Sequence, residues 1–226
     1  MKLTVLGKYG PYPAAGGGTS SYLMESGKTR VNIDFGSGAV SRTLKATGKL
    51  PETIVLSHLH FDHTSDLLPL VYAIKKPTVV YMPFDDSPIC EIVSSLPVFS
   101  PVKISDGLKT QIGDMTFEFI RLPHPAESYG MKISDGKTSF FYSGDTVYDE
   151  RIADKMRNCS LALLDAAQPT ECASGKPHMS IREAKKLFDE TGVKVLLTHV
   201  SPELSPYEEA KLLGLEVAEE MKVYEI

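Results

Sequence analysis

The stretch Ser57-His58-Leu59-His60-Phe61-Asp62-His63-Thr64 decides how the rest of the chain is read. Three imidazoles and a carboxylate fall within six residues, directly after the apolar run Ile54-Val55-Leu56. Side chains of an extended segment alternate between faces, so His58 and His60 point the same way and can grip one ion. Asp62 and His63 are out of step with that pair and can face a second ion beside it. Helical spacing follows at once, with Leu67, Leu70, Val71 and Ile74 at i, i+3, i+4 and i+7. A strand, a ligand-bearing turn and a helix are therefore expected in succession. Three unrelated histidines in a polar loop would be an improbable alternative at this spacing.

Working outward, the flanking chain reads as alternating β and α elements. Residues 3–6 form a first strand, followed by a loop of small residues from Gly7 to Ser20. That loop either lets backbone approach a ligand or is a flexible surface loop; it matches no nucleotide-binding fingerprint. Ser21–Glu25 and Arg30–Phe35 pair as a hairpin, with Asp34 near its end. Ala39–Thr47 is helical and stops at Gly48. Beyond the motif, Thr78–Met82 is a strand, Ser87–Leu96 a short helix, and strands resume from Val102. Hairpins are expected over Thr110–Leu122 and over Tyr129–Ser143, the latter turning at Asp135-Gly136. Glu150–Arg157 is helical and Leu161–Leu164 a buried strand. Ser180-Ile181-Arg182-Glu183 is a capping box opening a helix that ends at Gly192. Val193–Thr198 is a strand, Ser205-Pro206 starts a last helix, and Lys222–Ile226 closes a sheet. Hairpins followed by strand–helix alternation predict two mixed sheets covered by helices, with residues 1–226 forming a single domain.

Composition narrows the setting. The apolar fraction of 42% and charged fraction of 23% suit a soluble chain with a substantial core. No apolar run approaches the roughly 18 residues of a membrane span, and the start Met1–Gly7 is too short for a secretory signal. Cys90, Cys159 and Cys172 are odd in number and scattered, which favours a reducing cytoplasm over a disulfide scaffold. A net charge of −5 argues against a broad phosphate-tracking surface, though not against a small anionic substrate at a metal site.

The remaining histidines give the chemistry. The strand Phe117–Pro123 delivers His124 at its end, Phe140–Gly144 delivers Asp145, and Val195–Thr198 delivers His199. Polar ligands belong where a packed strand meets solvent. With the first motif, five histidines and two aspartates are available, more than one ion uses. The economical partition puts His58, His60 and His124 on one metal and Asp62, His63 and His199 on the other, with Asp145 bridging. Two such ions stand about 3.5–4 Å apart and can share a hydroxide. The sum of charges then leaves a positive centre, suited to an anionic substrate or a developing oxyanion. Zn²⁺ fits the histidine-rich set best, with Mn²⁺ and Fe²⁺ also compatible. His178 is left over, ahead of the capped helix; it is read as a general acid for the leaving oxygen, the other reading being a loop histidine. Asp34 is either an acceptor that fixes the tautomer of a ligand histidine or a strand-end turn residue. Cys172 has no ligand spacing and is read as structural or inert.

Ser-His-Leu-His-Phe-Asp-His at 57–63, with His124, Asp145 and His199 at strand ends, resembles the metallo-β-lactamase superfamily over essentially the whole chain. The resemblance implies an αββα sandwich, two mixed β-sheets flanked by helices, with a dinuclear site along one edge. Leu6-Gly7, Thr19-Ser20-Ser21-Tyr22-Leu23, Ile33-Asp34-Phe35-Gly36-Ser37-Gly38 and Pro177-His178-Met179-Ser180 are similar to the ribonuclease Z-like phosphodiesterase branch. By that likeness Asp62 both binds metal and orients the nucleophile, and His178 is the acid. Three departures stand out. The 20 residues between His124 and Asp145 leave no room for the long exosite arm of transfer-RNA 3′-processing enzymes. Phe61 occupies the position usually held by Gly before Asp62 and reshapes the entrance. The His-Glu-Ala stretch of those enzymes appears as Asp165-Ala166-Ala167, so the acidic partner of His178 is expected to be missing there, with Glu171 as a substitute. A smaller phosphodiester or an RNA end is therefore the expected substrate, with nucleic acid a compatible partner, ahead of a lactone or thioester; transfer-RNA processing and a non-enzymatic metal-binding role stand further behind. A redox di-iron role is disfavoured, because His60 stands where those relatives place Glu. Relatives of this kind often dimerise, and a homodimer is compatible with the sequence; nothing in it points to a membrane.

Overall fold

A computed structural model describes residues 1–168, 177–203 and 206–226. The first half runs β1 (Lys2–Gly7), β2 (Ser21–Ser26), β3 (Thr29–Phe35), α1 (Ala39–Thr47), β4 (Thr53–Val55), α2 (Phe61–Thr64), α3 (Leu67–Ala73), β5 (Thr78–Met82), α4 (Pro88–Ser95) and β6 (Phe99–Lys103). The second half runs β7 (Lys109–Ile112), β8 (Met115–Leu122), β9 (Ser128–Ser134), β10 (Ser139–Tyr142), α5 (Arg151–Met156), β11 (Leu161–Asp165), α6 (Ile181–Thr191), β12 (Lys194–Thr198), α7 (Tyr207–Leu212), β13 (Glu216–Val217) and β14 (Val223–Glu225).

Local chemistry accounts for the element ends. α1 stops where Gly48 takes a left-handed conformation (φ 69°) that a side chain would resist. α4 starts with the Ser87 hydroxyl accepting from the Cys90 amide, and α6 with the expected capping box between Ser180 and Glu183. Two strands escaped the sequence pattern. β6 begins at Phe99 rather than Val102, hidden by Pro101, which an edge strand tolerates. β13 is only two residues long, too short to show a period.

The strands form two seven-stranded sheets, in the orders β14-β1-β2-β3-β4-β5-β6 and β13-β12-β11-β10-β9-β8-β7. Each is antiparallel over its hairpins and parallel over β3–β6 or β10–β13. Alternation of side chains splits each strand between two cores. Tyr22, Ile33, Phe117, Met131, Phe140, Tyr142 and Leu196 fill the space between the sheets. Phe141, Leu164 and Leu197 face Ile152, Ala184 and Leu187 of α5 and α6. Ile54 and Val80 face Leu67, Leu70 and Val93 of α3 and α4. Burying each such side chain contributes about 1.5–3 kcal/mol, so the layers are helix, sheet, sheet, helix, the expected αββα sandwich. Among the described residues no helix is long and apolar enough to cross a membrane.

This plan places the chemistry. β3 and β4 run parallel, and β8, β10, β11 and β12 share one direction in the other sheet. Their carboxyl ends all carry polar residues, the end at which open α/β sheets characteristically bind ligands.

Candidate metal centre

The chain leaves β4 extended, and His60 (φ −66°, ψ 151°) caps the one-turn helix α2. His58 and His60 therefore precede that turn, whereas Asp62 and His63 lie within it. The other donors arrive singly, His124 after β8, Asp145 after β10 and His199 after β12.

These residues converge. Donor atoms of His58, His60, His124 and Asp145 all lie within 4.8 Å of one another, as do those of Asp62, His63, Asp145 and His199. Asp145 belongs to both groups, and to a third with Asp165 and His178. Its carboxylate stands 3.2 Å from His63 Nε2, 3.2 Å from His199 Nε2 and 3.7 Å from His58 Nε2. Asp62 Oδ2 is 3.7 Å from both His63 Nε2 and His199 Nε2, and His124 Nε2 is 3.3 Å from His60 Nδ1.

The donor set fits divalent cations. His58 Nε2, Asp62 Oδ2, His63 Nε2 and Asp145 Oδ1 are buried without a hydrogen-bond partner. Each such orphan costs about 1–3 kcal/mol, a loss that a cation at their common focus removes. Burial works against charge on His63, but Asp145, Asp34 and Asp62 outweigh it and push its imidazolium well above the usual range. The surroundings thus demand positive charge at that point. Burial, with His63 and His60 beside it, drives His58 well below the usual range, and burial with His63 and His178 does the same to His199. Burial lowers His124 to about 4, against the Pro177 carbonyl. Burial and His63 lower His60 as well, while Asp62 and, more weakly, Asp85 act in the opposite sense. Neutral imidazoles are the ligand form.

The far ring nitrogens are held by a further layer. Asp34 Oδ2 accepts from His63 Nδ1 at 2.8 Å, from Tyr142 Oη at 2.7 Å and from Ser57 Oγ at 2.9 Å, while its Oδ1 accepts from the Ser57 amide at 2.7 Å. Having donated to Asp34, the Ser57 hydroxyl accepts from His58 Nδ1 at 3.0 Å. His124 Nδ1 donates to the Pro177 carbonyl at 3.1 Å, and His199 Nδ1 meets Ser20 Oγ at 3.1 Å. Of the two readings of Asp34, the tautomer-fixing acceptor matches this geometry. Asp34 (φ 52°) and His199 (φ 54°) both hold left-handed backbone conformations. Gly10 lies so close to His199 that a Cβ there would overlap the imidazole. The Gly7–Ser20 loop therefore backs a donor, in place of the flexible surface loop offered as its alternative.

His178 stands beside the centre, its ring stacked on that of His199 at 5.0 Å and 21°. The expectation that its acidic partner is missing from Asp165-Ala166-Ala167 is wrong. Asp165 Oδ2 accepts from His178 Nδ1 at 2.8 Å. The expected Glu and the aspartate present occupy adjacent positions, and the side chain that ends β11 reaches the imidazole. Asp165 Oδ2 also accepts from the Thr146 amide and Oδ1 from the Ala167 amide, which spends its oxygens on orientation. Burial pulls the His178 imidazolium down, but the Asp165 hydrogen bond and charge, with Asp145, raise it to about 9. Glu171 and Cys172 lie outside the described residues, as does Ser205 at the expected start of α7. Asp165, Ser57, Tyr142 and Ser20 are the contributors that the sequence reading passed over. A strand-end rule extended from Leu161–Leu164 would have found the first.

Comparison with known proteins agrees with this geometry. A family model described as "Beta-lactamase superfamily domain" matches residues 29–200. A protein of Bacillus subtilis (strain 168) named "Probable metallo-hydrolase YhfI" is 30% identical over 217 residues, covering 88% of this chain and 87% of its own length. The crystal structure of the metallo-beta-lactamase fold protein YhfI from Bacillus subtilis aligns with a TM-score of 0.92 and 26% identity over 99% of both chains. Two further crystal structures share the fold. Human tRNase Z, short form, has a TM-score of 0.78 at 19% identity, covering 100% of this chain and 99% of that one. A diphosphatase from the PhnP family has 0.75 at 18%, covering 100% and 97%. From the matched family model and the full-length relative, the chain is a metallo-hydrolase of the metallo-β-lactamase superfamily.

Proposed function

We propose that this metallo-hydrolase cleaves a small phosphodiester at a pair of divalent ions, Zn²⁺ foremost, in the manner of the ribonuclease Z-like branch. One observation carries the reading. A histidine clamped by Asp165 shares a third donor group with Asp165 and Asp145 but belongs to neither group that gathers the other histidines, and it stands one ring away from them. Such a residue has a use where a leaving oxygen needs a proton.

His58, His60 and His124 would hold one ion and Asp62, His63 and His199 the other, with Asp145 between them. When bound, such a pair supplies a water acidic enough to attack at neutral pH and positive charge against the phosphoryl oxygens. Asp62 Oδ2, buried and otherwise unpartnered, orients the attacking water. The water gives up a proton to solvent, the new bond forms between its oxygen and phosphorus, and the opposite P–O ester bond breaks. His178 donates its proton from Nε2 to the departing alkoxide, while Asp165 keeps Nδ1 engaged and the ring aimed. The products are a phosphomonoester and an alcohol.

Elemental analysis followed by a panel on the metal-replete protein tests the reading. Turnover of bis(p-nitrophenyl) phosphate or a cyclic nucleotide, well above that of lactones and thioesters, is expected. A preference for a lactone or thioester would replace the phosphodiesterase reading with ester hydrolysis at the same centre.

A further inference from the structure

The centre is sealed on one side and open on the other. His58, His63, Asp145 and His199 are buried, whereas His60 is exposed and His124 half-buried. The rings of that pair meet near edge to face, 5.0 Å apart with 66° between planes. A substrate reaches the donor atoms past these two histidines.

Two exposed phenylalanines follow the strands of the first sheet at this end, Phe61 at the start of α2 and Phe84 after β5. Phe61 stands between the donors His60 and Asp62, yet its side chain is 66% exposed. Phe84, 38% exposed, comes in from the neighbouring strand. β4 and β5 run parallel with Val55 beside Tyr81. His58 and Phe84 each lie three residues beyond that pair, at the same sheet edge.

Neither ring belongs to a described hydrophobic core. The backbone under Phe61 is nonetheless fixed. The Ser65 amide donates to the Phe61 carbonyl at 2.7 Å, and the His63 amide and Thr64 hydroxyl donate to the His60 carbonyl at 3.1 and 2.9 Å. A rigid turn thus presents a flat apolar face to solvent, directly beside a cationic centre. A phosphate held at that centre brings its ester substituent against the ring. A sugar or alkyl group gains little from such a face, whereas every nucleobase has a π-face that stacks on one.

We propose that Phe61, with Phe84, forms a stacking platform for the base of a nucleoside phosphodiester whose phosphate sits at the metal centre. The proposal rests on the phosphodiesterase reading and narrows its substrate class to nucleotides. Leu68 and Tyr72 of the following helix α3 are also exposed, so a protein surface covering them together with Phe61 is the rival occupant.

Equilibrium binding of adenosine 5′-monophosphate and ribose 5-phosphate to the metal-replete chain separates the two. The ligands share sugar and phosphate and differ in the base. The nucleotide should bind about tenfold more tightly, the scale of one base–aromatic stack. Phe61→Ala should bring that ratio to within about threefold, with ribose 5-phosphate affinity held, and Phe61→Trp should keep it. Tyr72→Ala, on the separate helix α3, should leave the ratio alone. A wild-type ratio near one overturns the platform. So does a ratio that survives in the Phe61→Ala/Phe84→Ala double variant, an equal loss for both ligands in Phe61→Ala, or an equal loss of the ratio in Tyr72→Ala. A protein that prefers the nucleotide but hydrolyses no phosphodiester keeps the platform and overturns only the reaction.

Discussion

The two sheets share one strand plan but furnish the centre in opposite ways. The first gives Asp34 from the end of β3 and then His58, His60, Asp62 and His63 from a single loop after β4. The second gives one donor per strand end, His124, Asp145 and His199, with Asp165 at the end of β11 and His178 ahead of α6. The clustered half is braced by its own turn and by Asp34, so its donors move together. The dispersed half owes each donor to the register of a separate strand and can lose them one by one. Clustering therefore secures geometry, and dispersal secures the closure of the site around a substrate.

The largest expected effect comes from the residue that joins the halves. Asp145→Ala removes the carboxylate common to both donor groups. Hydrolysis should fall on the order of a thousandfold or more, the several kcal/mol that metal-ion catalysis contributes, and elemental analysis should show metal lost. Full metal content with retained turnover would mean that the halves work independently.

His178→Ala should lower kcat by about a hundredfold for diesters of aliphatic alcohols, with metal content unchanged. The deficit should shrink for p-nitrophenyl esters, whose leaving group needs little help from an acid. An equal deficit for both substrates would assign His178 to the donor set instead.

Asp34→Asn tests the clustered half. The exchange sets an amide NH₂ against donors from His63, Ser57 and Tyr142, and metal affinity should weaken about 10- to 100-fold by competitive chelation. An unchanged affinity would show that the turn alone aims the histidines.

The smallest effect is a shift in pH dependence. As the acid, His178 must be protonated, so its contribution is present at low pH and lost as pH rises through a value near 9. Asp165→Asn removes a cause of that elevation, and the alkaline limb of kcat should move down by about one pH unit. A limb that stays in place would detach it from His178.

The same contrast explains what the sequence disclosed. The clustered donors are legible because spacing within one turn needs no knowledge of the fold. His124, Asp145 and His199 are legible one step later, since each follows an apolar run that can only be a strand. Asp165 was misjudged because its partner lies 13 residues on, across a connection that no local pattern describes. Its alignment beside Thr198 is a property of the sheet. β13 and the start of β6 were missed for related reasons, one owing its existence to pairing with β12 and the other broken in pattern by Pro101.

Asp34 and His199 carry one more consequence through their left-handed backbones. A residue with a Cβ loses roughly 1–2 kcal/mol in that conformation, which glycine would recover. At Asp34, however, glycine would also strip the acceptor from His63, Tyr142 and Ser57, and each buried donor so orphaned costs about 1–3 kcal/mol. The twist of the chain is thus held in place by the same bonds that aim the histidines, and neither can relax without the other.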